Sequence, residues 1–261
     1  MTETSRILIP LRRFERSVLS AVVDRTGRGG TRKVKEAFEE VERRYAAKGH
    51  EVRWPVSAEI VSMPIMGATK SAGSAHTLFV SRRAVESDML DGLIAHEMGH
   101  MLRTEARHAS HDPEVFRALP REVRIPRSAG EAFDQAFNHI QDIYADDLAF
   151  LVFGEDAGGR VYEFFASWVE GNGNQRGEDR WRNIGLAASS GFAIGNLVRH
   201  GLIGSSDPLG ERARAFDAQA GLSTVDALVR FYANLSVDPS PAAFIGEVKA
   251  LADLMTRAAN A

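Results

Sequence analysis

The sequence predicts an α+β protein that is predominantly helical, and three observations support this fold class. Residues 51–81 contain short β-prone segments separated by proline and glycine. Most of the remaining chain shows apolar residues at helical spacing, between residues typical of helix caps. The 261 residues are 44% hydrophobic and 26% charged, as in an ordinary globular protein. We expect an N-terminal helical segment and basic linker (1–50), a core (51–155) and a C-terminal helical region (156–261) that forms one compact unit with the core.

The composition restricts the location and the partners of the protein. The stretch from Met1 to Arg13 has only a short apolar run before Pro10, which is not typical of a secretory signal. No run of about 18 apolar residues is present, which argues against a transmembrane helix. The net charge of −3 provides no basic field for nucleic acid or an anionic membrane. We therefore expect a soluble cytoplasmic protein that binds neither nucleic acid nor membrane.

A helix and a small sheet are predicted before residue 90. Residues 24–35 are glycine-rich and basic, and we favour a flexible linker over a phosphate-binding loop because the Gly-Lys-Ser/Thr ending is missing. The apolar spacing over residues 34–48 predicts a surface helix that ends at Gly49. The last strand of the sheet is expected at Ala75–Ser81. Three β-prone pieces predict this sheet: residues 51–56, 58–63 and 77–80.

The most informative motif is an HExxH sequence inside a predicted helix over residues 87–104. Its two histidines, His96 and His100, lie on the same face of a helix, so both imidazoles can bind one metal ion. Glu97 lies beside them, where a carboxylate can take a proton from a metal-bound water. A buried, hydrogen-bonded histidine would explain one of these residues, but not two at this spacing with a carboxylate between them. A separate apolar stripe predicts the core face of the helix: Leu90, Ile94, Met98 and Met101.

A second helix provides further polar residues. A capping box at Ser128 and Glu131 predicts its start, and Gly154 predicts its end. The helix is largely apolar, and burying charged groups in it is costly without compensation. A divalent cation with histidine ligands would provide that compensation. Three polar residues share one stripe of this helix: His139, Asp142 and Asp146.

The third ligand of the metal site is expected from this stripe. The chain has no cysteine, so a metal site must use His, Asp or Glu. Hydrolytic zinc sites use three protein ligands and leave a fourth position for water. We favour Asp142 over His139 as the third ligand, because Asp146, one turn later, can hold a ligating imidazole by a hydrogen bond. His139 is the alternative.

The rest of the chain is predicted to be loop and helix. Residues 105–127 have no clear periodicity and predict a loop or a short helical insertion near the site. A polar, glycine-rich loop is expected over residues 170–180. Five helices are predicted in the C-terminal region: 161–169, 181–200, 208–220, 224–235 and 241–259, the last with Ser240 as its N-cap.

The HExxH helix, followed by a helix with an acidic pair, resembles the gluzincin metallopeptidases with a compact thermolysin-like catalytic core. The resemblance covers about residues 77–153. It implies a zincin-like core, in which a small sheet packs on the HExxH helix and a C-terminal helical layer completes the fold. It also implies one Zn²⁺ ion. In that family the third ligand is ordinarily Glu, so the shorter Asp142 requires the two helices to approach more closely.

The same resemblance implies a metalloendopeptidase that hydrolyses peptide or protein substrates. Zinc held by His96, His100 and Asp142 would polarise the scissile carbonyl and activate water. Glu97 would act as general base and pass the proton to the leaving amine. In zincins an edge strand above the helix receives the substrate, and Ala75–Ser81 is either that strand or an ordinary core strand. Four residues are candidates for the oxyanion donor: His108, His111, Tyr144 and Tyr162.

Two other functions are consistent with the sequence. In the first alternative, the chain is a catalytically silent zinc-binding protein that acts as a partner-binding or regulatory module. Glu97 argues against this alternative, since a structural site does not need a general base there. In the other case the motif is accidental and the chain is a helical interaction domain, with Asp142 and Asp146 at surface or salt-bridged positions.

Overall fold

The computed structural model describes residues 17–153, 157–204 and 206–261. Over these residues the protein is α+β and mostly helical, as predicted. One sheet contains four strands: β1 (Leu19–Asp24), β2 (Val56–Val61), β3 (Gly67–Ala72) and β4 (Ala75–Ser81). The α-helices of the described residues are α1 (Thr31–Ala47), α2 (Arg82–Glu86), α3 (Leu90–Glu105), α4 (Pro113–Glu122), α5 (Gly130–Ala149), α6 (Ala157–Asn174), α7 (Arg180–Arg199), α8 (Pro208–Gln219), α9 (Val225–Ala233) and α10 (Pro241–Asn260).

The sheet has the order β1-β2-β4-β3. Strands β1, β2 and β4 are parallel, and β3 is antiparallel to β4. The sequence predicts two strands, at 51–56 and 58–63. The structure has a single strand there, β2, which begins directly after Pro55. Strands β1 and β3 are not predicted. The sequence of β3, from Gly67 to Ala72, contains a single β-branched residue, so its propensity for a strand is weak.

Strand β4 is an interior strand of the sheet. It pairs with β2 on one side and with β3 on the other, so neither of its edges is free. The interpretation of Ala75–Ser81 as a substrate-binding edge strand is therefore wrong, and the alternative of an ordinary core strand is confirmed. The edge strand on this side of the sheet is β3.

The glycine-rich stretch over residues 24–35 is an ordered turn that leads into a helix, not a flexible linker. The carboxylate of Asp24 accepts hydrogen bonds from the backbone N–H groups of Thr26 and Gly29. Helix α1 begins at Thr31 and buries its apolar face in the same core as the sheet and α3. The boundary predicted at residue 50 therefore lies inside one hydrophobic core.

Two helices differ from their predictions at their ends. The N-cap position of α5 is Ala129, and residues 127–129 form a 3₁₀ turn, so the capping box predicted for Ser128 and Glu131 is wrong. Helix α5 ends at Ala149; Gly154, its predicted end, lies outside the described residues. Helix α6 continues to Asn174, through the first five residues of the predicted 170–180 loop, because its buried residues fix the helix despite two glycines.

Two hydrophobic cores flank the pair α3 and α5. The first core joins the sheet, α1 and α3, and it contains the predicted apolar stripe of α3 in fully buried positions. The second core joins helices α5–α10, which together form a helical layer. Helix α3 thus packs on the sheet and on α5, and its polar face meets the polar stripe of α5. Among the described residues, no helix combines the length and the apolar character that a membrane crossing requires.

Candidate metal centre

Three side chains from two helices converge at one point. His96 and His100 are one turn apart on α3, and Asp142 is on α5. The Nε2 atoms of the two histidines are 3.1 Å apart. The Oδ1 atom of Asp142 is 3.8 Å from Nε2 of His96 and 3.5 Å from Nε2 of His100. The structure thus brings together the three residues that the sequence predicts as metal ligands, and their ligand atoms form a triangle.

The helical layer holds the ring of His96. Its Nδ1 donates to Oδ1 of Asp146 at 2.6 Å, since a carboxylate can only accept. The other oxygen of Asp146 accepts a hydrogen bond from Nδ2 of Asn196 on α7 at 2.5 Å. Asp146 and Asn196 are both buried. This contact orients Nε2 of His96 towards the other two ligand atoms, and it is the contact that the sequence predicts for Asp146.

A different segment holds the ring of His100. Its Nδ1 is 2.7 Å from Nε2 of His111, which ends a 3₁₀ turn over residues 109–111. The hydroxyl of Ser110 is 2.7 Å from Nδ1 of His111 and 2.7 Å from Nδ1 of His108. All three side chains are buried. We refer to His111, Ser110 and His108 as the histidine row.

Asp142 is the third corner of the triangle, and His139 lies behind it. The Oδ2 atom of Asp142 is 3.2 Å from Nδ1 of His139. The His139 ring is buried and stacks on Phe192, with ring centroids 4.4 Å apart. His139 therefore orients the carboxylate of Asp142, and it is not among the three residues whose ligand atoms converge.

Glycine at position 99 explains how a carboxylate as short as that of Asp142 reaches the two histidines. A Cβ atom on Gly99 would overlap the backbone carbonyl oxygen of Ala145 on α5. The absence of a side chain therefore lets the backbones of α3 and α5 approach closely at the centre. The resemblance to gluzincins implies such a close approach for a ligand as short as Asp142.

A cleft of about 760 Å³ lies over the three ligand atoms. The edge strand β3 forms one wall, and Thr69 of this strand donates to the backbone carbonyl of Glu97 at 3.4 Å. The Glu97 side chain also lines the cleft, and no side chain among the described residues hydrogen-bonds its carboxylate. Aromatic side chains of α6, α7 and the residues after α5 form another wall, the aromatic wall: Phe150, Phe153, Phe164, Phe165, Trp168 and Phe192.

The carboxylates of the centre dominate its electrostatics. Burial lowers the pKa of His96, but the carboxylates of Asp146, Glu97 and Asp142 outweigh this effect and raise it to about 10. Burial favours the neutral form of Asp142, but its contacts with imidazoles hold the pKa of this carboxyl below its usual range. The side of the centre around His96 thus carries negative charge that a cation would balance.

The histidine row is electrically neutral by contrast. Burial lowers the pKa of His111 well below its ordinary value, and the neighbouring imidazoles add to this effect. Burial and the nearby guanidinium of Arg103 lower the pKa of His108 to about 4. Both rings are therefore neutral near pH 7.

The four candidates for an oxyanion donor are engaged in other contacts. The ring nitrogens of His111 face His100 and Ser110, and Nδ1 of His108 faces Ser110. The hydroxyl of Tyr144 donates to Glu247 at 2.7 Å. Tyr162 similarly donates to Asp207 at 3.3 Å. Of these four residues, only His111 is among those that line the cleft, where it contacts His100.

Comparison with known proteins identifies a family. Residues 43–259 match the family of unknown function DUF5781. The chain belongs to this family. Searches of curated proteins and of solved structures gave no match. The matched range runs from α1 to α10 and includes all the residues of the centre, so membership in DUF5781 places the whole site inside the family region.

Sequence reasoning missed several residues of the centre in this DUF5781 chain. Asn196 gives a signal in hindsight, because it is a polar residue within an almost entirely buried stretch of α7. The contact between His111 and His100 gives no such signal, since it depends on how the chain returns after α3. The aromatic wall is also hidden, because its residues have the spacing of ordinary core residues in amphipathic helices.

Proposed function

We propose that the protein is a zinc-dependent metallopeptidase of the HExxH type with a zincin-like core. The triangle of His96, His100 and Asp142 is the observation that carries this proposal. Zinc–ligand distances of about 2.0–2.1 Å in tetrahedral geometry require ligand atoms about 3.4 Å apart. The three observed separations are 3.1, 3.5 and 3.8 Å. The residues therefore fit a zinc ion with one position left for water.

The orientation of the two imidazoles supports a cation at this point. Nδ1 of His96 carries a proton because it donates to Asp146, so the Nε2 atom of a neutral ring presents a lone pair. Two imidazole Nε2 atoms that face each other at 3.1 Å require a proton or a metal ion between them. Because a carboxylate oxygen of Asp142 completes the set, a divalent ion satisfies all three atoms at once.

The roles of the protein side chains follow from their positions. A zinc ion at the triangle would supply Lewis acidity, which activates water and polarises a carbonyl group. Asp146 holds the ring of His96 and His139 holds the carboxylate of Asp142, so both ligands are oriented before metal binds. The Glu97 carboxylate lines the cleft without a partner among the described residues, so it can accept a proton from water and return it to the leaving amine.

The two walls of the cleft suit an extended peptide with apolar side chains. The backbone carbonyl of Met66 accepts from the N–H of Ser81, so these two residues form a hydrogen-bonded pair. In an antiparallel ladder, hydrogen-bonded and non-hydrogen-bonded pairs alternate along the strand, here along β3. The backbone groups of Gly67, Thr69 and Ser71 therefore face away from β4, where they can pair with a substrate strand. The aromatic wall favours a bulky apolar residue near the scissile bond.

Zinc stoichiometry tests the metal site. We expect one equivalent of zinc in the purified protein and strongly reduced zinc in His96→Ala and Asp142→Ala. Asp134→Ala is the matched control, because Asp134 is an exposed carboxylate on the same helix. Undiminished zinc in His96→Ala or Asp142→Ala would remove that residue from the site.

Hydrolysis of a library of fluorogenic peptides tests the activity. The zinc-loaded protein should cleave peptides that contain bulky apolar residues. Glu97→Gln should bind one equivalent of zinc and cleave about 10²- to 10⁴-fold more slowly, the range expected for loss of a general base. Cleavage by Glu97→Gln at the wild-type rate would contradict the general-base role. A zinc-loaded protein that cleaves no peptide would instead support a zinc-binding module.

A further inference from the structure

We propose that His111 is a positioning residue of the metal centre that acts through His100, and that Ser110 and His108 fix its tautomer. The inference rests on the metal site of the proposed function, but it does not require peptidase activity. Its basis is a continuous row of contacts behind His100, in which each separation is 2.7 Å. The metal-binding role of His100 determines the direction of every hydrogen bond in this row.

The direction begins at His100. To bind a metal through Nε2, the ring must present a lone pair there and carry its proton on Nδ1. Nδ1 of His100 then donates to Nε2 of His111. A neutral His111 that accepts through Nε2 must carry its own proton on Nδ1, so it donates to the hydroxyl oxygen of Ser110.

The row continues in the same direction to the surface. The hydroxyl of Ser110 donates to Nδ1 of His108, and the backbone N–H of Ser110 points to the same nitrogen at 3.3 Å. His108 therefore carries its proton on Nε2, which faces a carboxylate oxygen of Asp238 at 3.7 Å. Each of these contacts has one donor and one acceptor, so the tautomers of His100, His111 and His108 are all determined.

The backbone conformation between α3 and the histidine row returns the chain to α3. Arg107 has a φ of 50°, a left-handed conformation that is uncommon for residues other than glycine. This reversal after the end of α3 directs the following residues back under the helix. The amide of Gln141 on α5 then donates to the backbone carbonyl of Ser110 at 3.0 Å and fixes the turn. His111 is consequently held against His100 by contacts that do not involve the metal.

Zinc affinity, measured by competition with a chromophoric chelator, tests the positioning role. His111→Leu should weaken zinc binding about 10- to 100-fold, as expected when the partner of a ligating histidine is lost. His111→Gln should stay within about threefold of the wild type, because its amide oxygen can accept the Nδ1 proton of His100. His76→Leu is the matched control: His76 is equally buried and hydrogen-bonded by Ser71 and Glu105, but it does not touch the ligands.

The outcomes separate this inference from the proposed function. Wild-type affinity in His111→Leu would overturn the positioning role and leave the peptidase proposal intact. Equal losses in His111→Leu and His76→Leu would also overturn it, since the effect would then be one of general stability. A wild type that binds neither Zn²⁺ nor Co²⁺ would overturn both proposals. If the wild type cleaved no peptide but His111→Leu selectively lost zinc affinity, the inference would be supported. Only the peptidase proposal would then be contradicted.

Long-range ¹H–¹⁵N NMR spectra of the zinc-loaded wild type test the row without a substitution. Free neutral histidine rings mostly carry the proton on Nε2, so the predicted Nδ1–H form of His111 is a distinctive signature. We expect His111 in the Nδ1–H form and His108 in the Nε2–H form. A His111 ring with its proton on Nε2 could not accept from His100 and would overturn the inference.

Discussion

Two regions of the molecule hold the two histidines of the proposed metal centre in different ways. The helical layer holds His96 through the buried carboxylate of Asp146, which Asn196 fixes from α7. The histidine row holds His100 through the neutral imidazole of His111. A carboxylate places a full negative charge near a bound cation, whereas a neutral imidazole accepts the same kind of hydrogen bond without a net charge. We infer that the helical layer contributes more to the strength of metal binding than the row does.

The largest effect is expected when the charge is removed from the helical layer. Asp146→Asn preserves the size of the side chain but removes the negative charge beside His96. We expect zinc affinity to fall about 100-fold, the upper end of the range for such partners. The affinity is measured by chelator competition, as for the variants of His111. A loss no larger than that in His111→Gln would contradict the difference between the two regions.

Asp217→Asn is the control for this substitution. Asp217 is a buried carboxylate in the same helical layer, where it accepts hydrogen bonds from the backbone N–H groups of Thr224 and Val225. Its replacement should lower the free energy of unfolding but leave zinc affinity unchanged. A similar loss of zinc affinity in this variant would show that the effect of Asp146→Asn reflects the stability of the layer.

The next effect concerns the spacing of α3 and α5, the helices that carry the three proposed ligands. Gly99→Ala places a methyl group against the backbone of Ala145, so α3 and α5 must separate. We expect the free energy of unfolding to fall by about 2 kcal/mol, a typical cost of overpacking. Zinc affinity should fall as well, because Asp142 no longer reaches the histidines. Urea denaturation and chelator competition measure the two effects.

The double variant Gly99→Ala/Asp142→Glu tests whether spacing is the cause. The longer carboxylate should recover part of the zinc affinity that Gly99→Ala loses. Gly246→Ala is the control, because Gly246 lies inside α10 with open space around its Cα, so alanine should stabilise the protein by up to about 1 kcal/mol. If the double variant recovered no zinc affinity, the effect of Gly99→Ala would not depend on the length of the side chain at position 142.

A smaller effect is expected from the residue behind Asp146. Asn196→Leu removes the donor to the second oxygen of Asp146 and leaves a buried carboxylate oxygen without a partner. We expect a loss of about 1 kcal/mol in the free energy of unfolding and about tenfold in zinc affinity. Asn172→Leu is a suitable control, because Asn172 is also buried and donates to Ser190 instead of a carboxylate. Equal zinc affinity in the two variants would contradict the role of Asn196.

These two regions also differ in how far the sequence predicts them. The stripes on α3 and α5 have helical spacing, so they predict His96, His100 and the acidic residues of α5, and even the contact of Asp146 with an imidazole. The choice between Asp142 and His139 stays open in the sequence, because both lie on the same stripe and only the packing of His139 on Phe192 separates them. The contact of His111 with His100 joins two separate segments, so no periodic pattern in the sequence predicts it.

The same physical reason explains the errors in the fold. Strand β3 has few β-branched residues and exists because β4 offers it a pairing edge. The end of α6 contains glycines that favour a loop, but buried residues of this helix keep it regular. Local propensity decides neither case. In both, packing outweighs local preferences that differ by about 1 kcal/mol per residue.

The smallest effect tests how the histidine row is placed. Arg107→Gly removes the Cβ that disfavours the left-handed conformation at a φ of 50° and should raise the free energy of unfolding by up to about 1 kcal/mol. Arg107→Ala, which keeps the Cβ, should show no such gain. Zinc affinity should stay at the wild-type value in both variants, because Gln141 and the row itself fix His111. If Arg107→Gly weakened zinc binding, the stiffness of this turn, and not the hydrogen bonds of the row, would position His100.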